Sequence, residues 1–232
     1  MKGKSVCKII NESFSDFSLF WGKVLASIVL SLGSLLGLLL FPLFGLFLAF
    51  FSMGFICIGQ KKFVLGLLNK KNLPIETVFS SFKISLQAFA LKTIIILYSL
   101  LWSILLIIPG VICLLNYSFS SFIMAENEGV DAFSALDKSK SLVYGFRSKI
   151  LILFLFSFFM FCVFGAVGFG VAMIVNLFAI LPIWAIVVLT LGVAFFGLML
   201  VVMPFYEISM AKLFIEAKTA SVDKVKRKTK TV

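Results

Sequence analysis

Hydrophobic residues in this chain come in long runs and not in alternation. Three stretches contain no Lys, Arg, Asp or Glu: Val24 to Gln60, Thr93 to Ala125, and Ile150 to Tyr206. A helix rising about 1.5 Å per residue needs about 20 apolar residues to cross a hydrocarbon layer of about 30 Å. Each stretch is long for one crossing and near the length for two, so the pattern predicts three helical hairpins, at 24–60, 91–125 and 150–206. The six expected spans are Val24 to Phe41, Leu43 to Gln60, Leu91 to Ile108, Val111 to Ala125, Ile150 to Val175, and Ile183 to Met203. Pro42, Pro109-Gly110 and the segment Asn176 to Pro182 mark the turns. The second stretch has 33 uncharged residues, fewer than the roughly 40 that two perpendicular crossings need. Either Lys92 snorkels to the surface or this hairpin is partly re-entrant.

The polar remainder sets the topology. All 21 Lys and Arg fall in Met1 to Lys23, Lys61 to Lys92, Glu126 to Lys149, and Glu207 to Val232. Hairpins would place these four segments on one side, and the positive-inside rule makes that side the cytoplasm, with both termini there. The outer loops are then minimal turns. Within the charged segments Ile9, Ile10, Phe14 and Phe17, then Val78, Phe79, Phe82 and Leu86, then Phe133, Leu136, Leu142 and Val143 approach helical spacing. They read as amphipathic helices on the inner membrane surface.

Each such segment ends in Phe-x-x-Lys before an apolar run: Phe20 to Lys23, Phe89 to Lys92, and Phe146 to Lys149. Two readings stand side by side. One is a unit of interfacial helix plus hairpin, repeated three times in one orientation; the other is chance in a chain with 29 Phe and a Lys selected at each membrane entry. The expected fold is all-α: a single helical transmembrane domain at 1–216 with an interfacial helix at 1–20, followed by a disordered basic cytoplasmic tail at 217–232. The N-terminal Lys2, Lys4 and Lys8 precede an apolar run, but no small-x-small cleavage site leads into a polar mature chain, so the segment is read as retained.

Composition agrees with membrane residence and narrows the chemistry. The chain is 62% hydrophobic and 13% charged, against about 25% charged for a soluble domain. Cys7, Cys57, Cys113 and Cys162 are widely separated, and three lie in apolar stretches, where they act as small hydrophobes. There is no His, no carboxylate inside the apolar stretches and no phosphate-binding Gly-Lys loop. Proton relays, zinc hydrolysis and nucleotide hydrolysis therefore lack their usual parts. The expectation is a non-enzymatic protein without metal or other cofactor.

Uncharged polarity remains at depth. Tyr98, Ser99 and Ser103 precede the Pro109-Gly110 turn, and Asn116, Tyr117, Ser118, Ser120 and Ser121 follow it. These side chains either hydrogen-bond between helices, at about 0.6 kcal/mol each, or Asn116, Tyr117 and Ser120 line a small polar cavity facing Tyr98 and Ser99. Gly33 and Gly37, then Gly165, Gly168 and Gly170, offer small faces for close helix approach. Pro204 frees a carbonyl that a neighbouring group must satisfy. Trp21 and Tyr206 suit interfacial anchoring, whereas Trp102 lies too deep. In the tail, Lys224, Lys226, Arg227, Lys228 and Lys230 stand without an acid among them. Such a run either is drawn to anionic lipid, at about 1 kcal/mol per residue and in preference to nucleic acid, or is a solvated tail that only satisfies the positive-inside rule.

The centre of the chain carries a set of short motifs: Leu101-Trp102-Ser103, Ile108-Pro109-Gly110, Asn116-Tyr117-Ser118, Ala125-Glu126-Asn127, then Ala135, Ser139-Lys140 and Gly145. Pro204-Phe205-Tyr206 and Lys212-Leu213-Phe214 add a weaker echo near the end. Together they resemble an uncharacterised family of bacterial integral membrane proteins, domain of unknown function 975. That family often carries a basic residue shortly after Pro-Gly, where this chain has Cys113. The resemblance implies a bacterial inner membrane and a polytopic helical topology, and no activity. Two functions remain open: an accessory component binding lipids, another membrane protein or a second copy through its helix faces and inner rim, or a transporter or channel for a small neutral or hydrophobic substrate.

Overall fold

The computed structural model describes the backbone of residues 6–39, 42–71, 73–105, 107–127, 129–179 and 183–230. Among these residues the chain is all-helical. The elements are α1 (Val6–Leu39), α2 (Pro42–Leu68), a 3₁₀ segment (Ile75–Ile84), α3 (Ser85–Leu105), α4 (Ile107–Asn116), α5 (Ser120–Glu126), α6 (Ala132–Val143), α7 (Arg147–Ala179), α8 (Ile183–Gly197), a π-helical turn (Leu198–Val202) and α9 (Met203–Lys230).

The three hairpins are recognisable, since α1 packs on α2, α3 on α4, and α7 on α8. The described residues do not show six full crossings. Among the described residues two helices are long and apolar enough to cross a membrane, Ile75–Ser103 with 29 residues and Arg147–Asn176 with 30. A third joins them if the bent pair Val6–Phe17 and Phe20–Leu30 forms one span. In two helices the reason is geometric. With 10 residues α4 rises only about 15 Å before Tyr117 to Phe119 break the helix, and α8, with 15 residues, rises about 22 Å before the π-helical turn.

Prolines sit where helices tolerate them. Pro42 opens α2, and Pro109 lies in the first turn of α4, where its missing N–H has no partner to lose. The second turn thus comes before Pro109, and Gly110 has another task. A Cβ there would meet Ser103 Oγ at 2.2 Å and Ser103 Cα at 3.1 Å, so the glycine lets α4 fold back against α3. The third expected turn includes residues 180–182, which lie outside the described residues.

The three amphipathic segments are helical. The chain turns by 83° between Val6–Phe17 and Phe20–Leu30, separating the N-terminal segment from the apolar run that follows. The second segment is the 3₁₀ stretch leading into α3. The third is α6, whose Asp131 N-cap carboxylate accepts from the Phe133 N–H and which is followed by Gly145 at φ +126°, a value L side chains rarely adopt. The backbone of 217–230 continues α9, and Ala217 to Lys230 contains helix formers and neither Gly nor Pro.

The core lies at the charged end. Ile58, Phe63, Leu91, Phe119, Phe122, Ile150, Ile208, Leu213 and Phe214 are nearly inaccessible. Phe214 of α9 stacks on Phe122 at 5.5 Å and meets Phe119 edge-on at 5.6 Å. The apolar arms do the reverse. Only 11% of the most apolar window of α7 is buried, and Phe154, Phe158, Phe159 and Ile174 are each more than half exposed. A helix that is apolar all round and uncovered suits hydrocarbon and not water.

Candidate functional site

The charged segments converge through ion pairs. Asp16 pairs with Lys212 at 2.7 Å, Lys61 with Glu207, Glu126 with Lys218 at 2.5 Å, and Lys149 with Glu216 at 2.8 Å. In each of these four pairs one partner belongs to α9, and the others come from all three remaining charged segments. The last helix therefore gathers the chain's polar segments at one end, each pair reaching across dozens of residues of sequence.

Lys61 and Glu207 are the buried members, each side chain 11% exposed. They are the first charges after the first and third apolar stretches. The Lys61 ammonium lies 5.0 Å from the centroid of the Phe122 ring, adding a cation–π contact. Burial, the largest single influence, lowers the lysine pKa, but the Glu207 carboxylate together with the neighbouring Cys57 and Tyr206 outweighs it and holds Lys61 above its ordinary 10.5. A raised folded-state value means that its stabilisation is fully present below the unfolded pKa and is lost as pH rises through the folded one. Thermal midpoints of the purified protein should hold steady up to about pH 10 and fall above it, while a Lys61→Met/Glu207→Leu double variant should lack that alkaline step.

A second long-range link joins the start of the first apolar stretch to the end of the third. Pro204 has no N–H for the carbonyl of Leu200, four residues earlier, and the helix widens into a π turn at Leu198–Val202. The Trp21 indole N–H donates to that Leu200 carbonyl across 179 residues of sequence. The donor that Pro204 demands is thus the side chain expected to be an interfacial anchor. Trp21→Phe should cost about 1 kcal/mol in the native chain and markedly less once Pro204→Ala restores a helical donor. A double-mutant cycle on thermal midpoints reads that coupling.

The expected polar cluster is brought together in part. Tyr98 of α3 and Tyr117, in the break after α4, have ring centroids 6.3 Å apart. Lys140 of α6 lies 5.5 Å above the Tyr117 ring. Ser139, also of α6, donates to the Asn116 carbonyl at 2.8 Å. Ser99 Oγ, near the Cys113 thiol, and Asn116 Oδ1 are both buried without a hydrogen-bond partner. Ser120 does not join them: its hydroxyl donates to the Tyr117 carbonyl at 2.7 Å and closes the local turn. Sequence reasoning missed Cys113, Ser139 and Lys140 as neighbours of this cluster, and the polar triplet Asn116-Tyr117-Ser118 was the available sign of a helix break.

Other candidates divide similarly. A Cβ at Gly168 would meet the Thr190 carbonyl oxygen at 2.9 Å, so this glycine serves the α7–α8 approach, whereas Gly33, Gly165 and Gly170 face open space. Trp102 is half exposed on α3. The side chains of Gly37, Lys224, Lys226, Arg227, Lys228 and Lys230 lie outside the described residues. At the charged end a groove of about 600 Å³ opens between α2, α5 and α9, lined by Lys62, Lys71, Glu126 and Lys218 over apolar residues including Leu65 and Phe214. No protein-family model, curated protein or solved structure matches this chain.

Proposed function

We propose that this chain is a non-enzymatic component of a bacterial cytoplasmic membrane, of the kind its motifs resemble, which binds lipids or a membrane-protein partner through its lateral helix faces and its cytoplasmic rim. One observation supports this most: α9 forms ion pairs with all three other charged segments, while the arms leading away from them expose their apolar residues. Charges held together at one end and apolar surface at the other match hairpins entering a bilayer from one face, with both termini on the cytoplasmic side. The arms need not all reach the far surface for this arrangement to hold. The available working surfaces are then helix faces and the inner rim. Native mass spectrometry of the protein extracted in its own lipids should show retained lipid or a stoichiometric protein partner. Solute flux through liposomes containing the chain alone would refute the reading.

The transporter reading has its own support in the orphaned Ser99 Oγ and Asn116 Oδ1. Buried polar atoms without partners cost about 1–3 kcal/mol each, and a polar substrate or water would relieve that cost. Asn116→Leu separates the two. In the accessory role it should shift the thermal midpoint by a few degrees and leave liposome permeability at background. A transport site instead requires flux in the native chain that this variant abolishes without unfolding.

A further inference from the structure

We propose that the seam where α6 lies against α3 and the end of α4 is a binding site for a membrane phospholipid, its phosphate taken by the Lys140 ammonium and the phenols of Tyr98 and Tyr117. This site, which rests on the lipid-binding role proposed above, gives that role a place and a chemical group.

A cation is folded here onto an uncharged length of helix. α3 carries its last charge at Lys92, and Tyr98 lies six residues further on, about 9 Å deeper at the rise of a helix. The Tyr98 ring stands 6.3 Å from that of Tyr117, and the Lys140 ammonium lies 5.5 Å from the Tyr117 centroid. α6 thus brings a charge to a level that α3 and α4 leave neutral. Its placement is fixed. Ser139, the residue before Lys140, donates to the Asn116 carbonyl at 2.8 Å and ties α6 to the helix break. Among the described residues no carboxylate pairs with Lys140, Asp137 one turn earlier included. The cation–π contact leaves its N–H groups open to an acceptor.

The surroundings select an amphiphile. Tyr98 and Trp102, one turn apart on α3, are 43% and 46% exposed, among Leu97, Leu101, Ile112 and Leu114, which are open as well. A phenol facing hydrocarbon has no water to bond, and among the described residues the Tyr98 and Tyr117 hydroxyls meet no acceptor. Ser99 Oγ and Asn116 Oδ1, buried without partners on the same two helices, make the seam polar further in. A phosphate ester accepts from the ammonium and both phenols, and its acyl chains can lie along the exposed leucines. A soluble anion would leave that apolar surface uncovered. Basic positions between membrane helices on the cytoplasmic side suit headgroups in this way.

The full chain in neutral detergent is titrated with dioctanoyl phosphatidylglycerol, with dioctanoylglycerol, which lacks the phosphate, and with glycerol phosphate, which lacks the chains. Native mass spectrometry reads the binding. One phosphatidylglycerol per chain is expected to bind about tenfold more tightly than either competitor, the worth of one charge-assisted hydrogen bond. Lys140→Gln should remove that preference at an unchanged melting midpoint, Lys140→Arg should keep it, and Tyr98→Phe/Tyr117→Phe should weaken it. Lys138→Gln, which neutralises an exposed neighbour on another face of α6, should leave it intact. Equal binding of dioctanoylglycerol overturns the proposal, as does equal binding of glycerol phosphate, which would mark a soluble phosphate ester. A preference that survives Lys140→Gln, or is lost equally with Lys138→Gln, overturns it too, while leaving the general lipid-binding role standing. A native chain that retains neither lipid nor protein partner fails that role as well.

Discussion

Replacing Lys61 alone by methionine is expected to destabilise the protein by about 3–5 kcal/mol, because it strands the Glu207 carboxylate in the aromatic core at the charged end. Both side chains are only 11% exposed, so water cannot compensate the survivor. The Phe122 ring, which faces the Lys61 ammonium at 5.0 Å, offers an anion nothing in return. For a chain of this size the loss corresponds to a fall in melting midpoint on the order of 10 °C. Removing both charges as Lys61→Met/Glu207→Leu should recover most of it, since a buried ion pair repays its own desolvation poorly. A double-mutant cycle in detergent measures this. Equal, additive losses from the two single variants would show that the groups do not meet.

Gly59→Ala should be nearly as damaging through a different cause. A Cβ at Gly59 would lie 1.7 Å from the Val78 carbonyl oxygen and 2.5 Å from its carbon, both backbone atoms that cannot swing aside. Gly54, one and a half turns earlier on α2, is held the same way, its would-be Cβ 2.8 Å from the Phe89 N. The 3₁₀ segment and the start of α3 thus lie directly on the α2 backbone, and one methyl group must push them off. The expected cost is about 3 kcal/mol, the upper end for overpacking, with faster proteolysis within Ile75–Ile84. Gly165→Ala is the control. It faces open space and should be neutral or stabilising by up to about 1 kcal/mol, since alanine favours helix. A Gly59→Ala protein that melted like the control would contradict the packing.

Much of this was legible because charge is a one-dimensional signal in a membrane chain. The gaps between charges at Lys23 and Lys61, Lys92 and Glu126, and Lys149 and Glu207 bracket the three hairpins, and the apolar spacing of Ile9 to Phe17 and Phe133 to Val143 marks helices that are present. What failed to show was anything set by contact across the fold. The uncharged run Val111 to Ala125 conceals the break at Tyr117 to Phe119, since membrane helices also carry Asn, Tyr and Ser. Helix continuation beyond Ala217 is written in local propensity, but the charge run suggested a solvated tail first. The polar cluster was half visible: Tyr98, Ser99, Asn116 and Tyr117 do gather, whereas Ser120 serves its own turn, and Ser139 and Lys140 arrive from a helix over 20 residues away. Pro204 announced an orphan carbonyl, yet only the fold names Trp21 as its donor. The pairing of Lys61 with Glu207 is likewise a fact of topology, invisible in either neighbourhood.

The most direct test of a one-sided charged end is thiol accessibility. In a cysteine-free background, single cysteines replace Ser15, Ser80, Ser134 and Thr219, one exposed position in each charged segment. The protein is then labelled with a membrane-impermeant maleimide in inside-out and right-side-out vesicles. All four should react in inside-out vesicles and none in right-side-out ones, while Cys162, restored alone on the exposed apolar face of α7, should react in neither. Labelling of any of the four from the outside would separate segments that the ion pairs of α9 hold together, and would contradict the arrangement.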